Sequence, residues 1–146
     1  MPGGNIKMET LVIDVSATLG FLLKDEQDGM SLSVLAAMRQ NVVVFVPVHW
    51  PVEVANALFL AERRRRISQA ESREIFHLAQ SLPITVDDET AQRMADDTFA
   101  LARQYGLTIY DAAYLELAMR RGAKLATSDR DLVKAAKASG VAVFAG

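Results

Sequence analysis

Apolar residues along this chain follow two alternating rhythms. Short unbroken runs, "TLVIDV" (10–15), "VVVFVP" (42–47), "PITVD" (83–87), "KLAT" (124–127) and "VAVF" (141–144), are rich in β-branched residues. They read as strands buried on both faces. Between them, apolar positions recur with helical spacing and predict helices over 17–26, 30–40, 51–66, 68–82, 88–106, 109–122 and 130–140. Punctuation supports these limits. Pro51 stands in a first turn, where its missing N–H does no harm. Ser68 with Glu71 forms a capping box, and Gly106 and Gly122 close their helices. Strands separated by helices predict a three-layer α/β/α domain around a mainly parallel sheet. Residues 1–8 read as a loose tail and 9–146 as one domain.

The pattern has one conspicuous exception. "LVIDVSATLGFLL" (11–23) is apolar apart from Ser16, Thr18 and Asp14. An unpaired carboxylate is costly to bury, so Asp14 needs a reason to be there. It ends the first strand, and open parallel sheets bind ligands beyond the carboxyl ends of their strands. Asp129 follows the strand "KLAT" at a comparable junction. Glu53, in "HWPVEVANAL", and Asp111, in "LTIYDAAYLELA", each open a helix, and Asn56 follows Glu53 by one turn. Asp111 shares a helical face with Tyr114, Leu115 and Ala118 and is expected on the core side.

Each acid alone is explained by capping, because helix N-termini favour anions. Ser128 and Asp131, in "SDRDL", resemble a capping box with Asp in place of Glu. Four acids gathered at one sheet edge are another matter. They repel unless protonated or bridged by a cation. Oxygen ligands without Cys or His select a hard divalent ion, Mg²⁺ or Mn²⁺, which serves phosphate chemistry.

Composition narrows the remaining choices. The chain has 146 residues, no cysteine, two histidines and a formal net charge of −2. Disulfides and thiolate–metal sites are excluded, and a basic coat for nucleic acid is not indicated. Neither His49 nor His77 has a nucleophile partner in its local sequence, and no P-loop or Gly-rich dinucleotide turn follows any strand. No signal peptide or membrane span is visible, so a cytoplasmic protein is expected. "RRRR" at 63–66 reads as cations at a helix C-terminus, whereas Arg130 and Lys134 flank the "SDRD" edge and suit a phosphate backbone.

"LVIDVSATLGFLL", "PVEVANAL", "IYDAAYLELA" and "LATSDRDL", in this order, resemble PIN-domain proteins, most of all the VapC-type toxins of toxin–antitoxin pairs. The resemblance runs from Met8 to Phe144. It implies a Mg²⁺ site made by Asp14, Glu53, Asp111 and Asp129. Ser16, Asn56, Thr127 and Ser128 would support that site, and Asp131 would be an extra acid near it. It further implies an endoribonuclease that favours single strands, a homodimer, and a cognate antitoxin that neutralises it. A receiver-like phosphoacceptor domain fits poorly, because "VIDVS" holds one acid and "VVVFVP" ends in none. A PIN-fold binding module without catalysis is the second alternative, although no core acid is missing.

Overall fold

The computed structural model describes residues 8–145. All but one residue of the expected tail therefore lies outside the described residues. β1 (Glu9–Ile13), β2 (Val42–Val46), β3 (Ile84–Val86) and β4 (Lys124–Ala126) form a four-stranded sheet in the order β3-β2-β1-β4, parallel throughout. Leu11, Val12 and Ile13 are fully buried at its centre. Parallel connections need crossovers, and helices supply them. α1 (Val15–Leu22) and α2 (Gly29–Met38) link β1 to β2, and α3 (Trp50–Arg63) and α4 (Gln69–Ser81) link β2 to β3. α5 (Phe99–Tyr105) and α6 (Ile109–Arg121) precede β4, and α7 (Arg130–Ser139) follows it. α6 lies along β1, β2 and β4 with α5 and α7 beside it, whereas α1 packs on α2 and α3. Gly20 permits the α1–α2 contact, since a Cβ there would collide with the Ser31 side chain.

Most expected elements are present with shifted ends. The first strand stops at Ile13 rather than at residue 15, because Asp14 caps α1, its Oδ1 accepting the Ala17 N–H at 3.0 Å. The Ser68–Glu71 capping box forms in both directions. The Ser128–Asp131 box does not. Asp129 is itself the cap of α7, accepting the Leu132 N–H at 2.9 Å.

Two expectations fail more substantially. The helix expected over 88–106 begins as irregular turns, passes through a π-helical stretch at Met94–Thr98 and becomes regular only in α5. In its first turn the Thr90 hydroxyl donates to Asp87 at 2.7 Å and accepts the Val48 N–H at 3.2 Å. These side-chain bonds compete with helical backbone pairing. The expected strand over 141–144 is reduced to one bridge, Val143 to Leu125, because β4 offers only three residues to pair with. The arginine block ends α3 as expected. Arg66, however, is held by Asp25 and Glu26, each at 2.8 Å.

Candidate active site

The chain crosses from one side of β1 to the other between β3 and β4, and the crevice at the carboxyl ends of β1 and β4 is this sheet's switch point. Asp14 sits there, with 6% of its surface exposed. Three hydroxyl contacts build the floor of the crevice. Ser16 donates to Asp14 Oδ1 at 2.6 Å, Thr127 donates to Asp14 Oδ2, and Ser16 Oγ accepts the Ser128 N–H at 2.9 Å. Thr127 also accepts the Asp129 N–H at 3.0 Å. The turn after β4 is thereby tied to the turn after β1, and Asp129 is brought to Asp14.

α3 is fixed to the same point. The Trp50 indole N–H donates to Thr18 Oγ1 at 3.0 Å, and that hydroxyl donates to the Asp14 carbonyl at 2.8 Å. Trp50 is buried, so the first turn of α3, which carries Glu53, is anchored against α1. The Tyr114 hydroxyl donates to Glu53 Oε1 at 2.7 Å, and His49 Nε2 lies 3.4 Å from the same oxygen. Oε2 is left free of both. Thr108 caps α6 by accepting the Asp111 N–H at 3.1 Å, which places Asp111 in the first turn, half-buried rather than in the core.

Four helix N-termini thus converge, two capped by the acids themselves and two carrying an acid in their first turn. Their dipoles favour negative charge there. Burial pushes the Asp14 carboxyl up, against the hydrogen bonds from Ser16, Thr127 and Ala17, and Asp129 adds to the rise. Burial likewise pushes Asp111 up, to about 6, helped by the charges of Asp129, Asp14 and Glu53. Among the described residues, no lysine or arginine pairs with any of the four. Such a donor set, all oxygen and lacking a built-in cation, fits a hard divalent ion.

A second acidic group lies at the end of β3. Asp87, Asp88 and Glu89 bring ligand oxygens within 4.8 Å of one another, tighter than the four acids at the switch point. Its chemistry is different, because Arg120 donates to both Asp87 oxygens, at 3.0 and 2.7 Å, and also pairs with Glu116 and Glu89. Burial raises the Asp87 carboxyl, but the bonds from Arg120 and Thr90 outweigh it and hold the group at about 2. This cluster already contains its cation.

The other residues expected at the site are distributed less evenly. Asn56 is exposed one turn beyond Glu53, and Arg130 is exposed at the start of α7. Asp131 and Lys134 line a depression of about 320 Å³ with Tyr105 and Gly106. His77 is exposed on α4. His49, for which no nucleophile partner was expected, pairs instead with a carboxylate, Glu53, four residues on, and burial lowers its pKa against that charge. Sequence reasoning also missed the hold of Tyr114 on Glu53. The available signal was its place three residues after Asp111 on one helical face.

Residues 11–138 match the PIN domain family, and the chain belongs to it. Ribonuclease VapC3 of Pyrobaculum aerophilum is 29% identical over 128 residues, spanning 85% of this chain and 92% of the relative. The fold is shared with VapC20 of Mycobacterium tuberculosis, a Sarcin-Ricin loop cleaving toxin, at 20% identity and a TM-score of 0.59, covering 86% of this chain and 94% of that one. It is shared too with a chain of VapBC2 from Rickettsia felis bound to promoter DNA, at 10% identity and a TM-score of 0.64, covering 92% and 96%. No helix among the described residues is long and apolar enough to cross a membrane.

Proposed function

We propose that this chain is a divalent-metal-dependent endoribonuclease and the toxin of a toxin–antitoxin pair. The observation that carries the reading is the convergence of Asp14, Glu53, Asp111 and Asp129 from four elements, with no lysine or arginine paired to them among the described residues. These four would hold Mg²⁺ or Mn²⁺, which when bound would polarise a phosphoryl oxygen and make a water a better nucleophile. The chain's own groups do the positioning. Ser16 and Thr127 fix both Asp14 oxygens, and Tyr114 fixes Glu53 by one oxygen. Arg130 and Lys134, exposed beside Asp129, would meet the phosphates of the strand.

VapC3, a ribonuclease, and VapC20, a Sarcin-Ricin loop cleaving toxin, support RNA as the substrate, and the VapBC2 assembly supports a cognate antitoxin. Leu32 on α2, Phe59 and Leu60 on α3 and Leu78 on α4 are exposed and offer such a partner apolar contact. A homodimer belongs to the same reading. The test uses protein freed of any bound antitoxin with tRNA and ribosomal RNA pools. Cleavage that needs Mg²⁺ or Mn²⁺ and stops in EDTA is expected. Cleavage sustained in EDTA would overturn the metal mechanism, and none in either pool would favour the binding module.

A further inference from the structure

Three large aromatic rings stand out on the described surface: Tyr110 at 60% exposure, Phe59 at 52% and Phe99 at 42%. Single exposed aromatics are ordinary and by themselves mean nothing. Phe59 and Phe99, however, each carry a guanidinium over the ring, from Arg63 at 5.8 Å and Arg103 at 5.3 Å. Tyr110 carries none among the described residues. Its ring is met edgewise by His49, with centroids 5.6 Å apart and planes 65° apart, and its carbonyl lies 3.2 Å from His49 Nε2. His49 is itself packed against Tyr114, 5.2 Å between centroids. The Tyr110 backbone and ring are therefore held by a largely buried side chain that also touches Glu53.

Position gives this exposed ring its meaning. Tyr110 immediately precedes Asp111, so their Cα atoms stand about 3.8 Å apart. Through His49 it also adjoins Glu53. An unpaired nucleobase presents a π-face that stacks on an aromatic ring whatever its sequence, and a ring already fixed in place loses little freedom on binding. We infer that Tyr110, pinned by His49, is the stacking platform for an unpaired base beside the phosphate that meets the four acids. This rests on the nuclease reading and names the feature of the substrate that the site would select: a base out of its duplex.

The experiment compares wild type, Tyr110→Leu and Tyr110→Phe on a single-stranded RNA that the wild type cuts, measuring KM, kcat and melting temperature. Tyr110→Leu should raise KM about tenfold with kcat changed by less than about twofold. Its melting temperature should fall by no more than about 3 °C, because the ring is mostly exposed and loses only its edge contact with His49. Tyr110→Phe, which keeps the π-face, should restore the wild-type KM. An unchanged KM in the leucine variant overturns the platform, as does failure of phenylalanine to rescue. A leucine variant that cuts normally but escapes its antitoxin would assign the ring to the protein partner instead. A wild type that cuts no RNA overturns the nuclease reading itself, and so is distinct from the other outcomes.

Discussion

The two acidic groups at the carboxyl edge of this sheet are built from the same residue types and solve opposite problems. At the end of β3, Asp87 is fully buried and Arg120 grips both its oxygens, so its charge is balanced within the fold. At the ends of β1 and β4, Asp14 is nearly as buried but has only hydroxyls and one N–H for partners. Hydroxyls and N–H groups satisfy lone pairs without cancelling charge. In the first group the central carboxyl, Asp87, is lowered, and in the second Asp14 and Asp111 are raised. Closeness of carboxylates is therefore a poor guide to a metal centre. The better guide is whether the fold supplies the counter-charge, and only the wider, four-acid group leaves that position open.

Breaking the balanced group should have the largest effect. Arg120→Met leaves Glu116 buried without its cation and Asp87 with only the looser pairing to Arg121 at 3.5 Å, a change worth about 3 kcal/mol of lost stability. Urea unfolding checks it, and a loss under about 1 kcal/mol would mean that Arg120 is not what balances the cluster. Arg120 stays outside the four-acid group, so any Mn²⁺-dependent cleavage found for the wild type should persist in the folded fraction of the variant.

Removing a charge from the unbalanced group should act in the other direction. Asp14→Asn keeps the cap on α1, since Asn accepts the Ala17 N–H nearly as well. It also relieves repulsion, so the metal-free protein should gain about 1 kcal/mol. Mn²⁺ should stabilise the wild type in a concentration-dependent way and the variant much less, while cleavage falls steeply. Thermal melting in EDTA and in a Mn²⁺ series reads the first two effects. A variant that melts lower in EDTA, gains as much from Mn²⁺ and still cuts RNA would leave Asp14 as a cap alone.

The smallest expected effect is on pH dependence, where the two groups bend the curve oppositely. Asp111, raised to about 6, binds its proton more tightly folded than unfolded. Its contribution is complete below about pH 3.8 and is lost as pH rises through 6. With the group half exposed, solvent screening reduces this to about 0.5–1 kcal/mol. Asp87, held at about 2, contributes above pH 3.8 and loses that contribution as pH falls toward 2. Between pH 4 and pH 7 the lowered pKa of His49 adds stability while Asp111 removes it. Urea unfolding in EDTA should therefore show a stability difference between these pH values that shifts in favour of pH 7 in Asp111→Asn. An unchanged difference would remove Asp111 from the repelling set.

Much of this was legible from the residues because it is locally encoded. Asp14 stands out in an apolar run, and Gly106 and Gly122 end their helices in the left-handed conformation that glycine favours. What escaped was set by tertiary contacts between residues far apart in the chain. Arg120 reaching Asp87 leaves no local pattern, and neither does the Val48 N–H that Thr90 accepts at the start of the expected helix. His49 was hidden for a subtler reason. Its partner is four residues away, but only a chain already known to turn into α3 at that point makes the two neighbours.

The bonds that Thr127 and Ser128 make to Asp14 and Ser16 span more than a hundred positions of sequence. A polypeptide leaves the ribosome N-terminus first, and its domains fold as units once enough chain is available. β1 emerges early, yet its central place in the sheet cannot be completed until β4 arrives to lie beside it. Asp129 arrives later still, at the cap of α7. A growing chain thus carries an incomplete set of acids until residue 129 has been added. Until the chain has reached the cap of α7, the four-acid group cannot assemble.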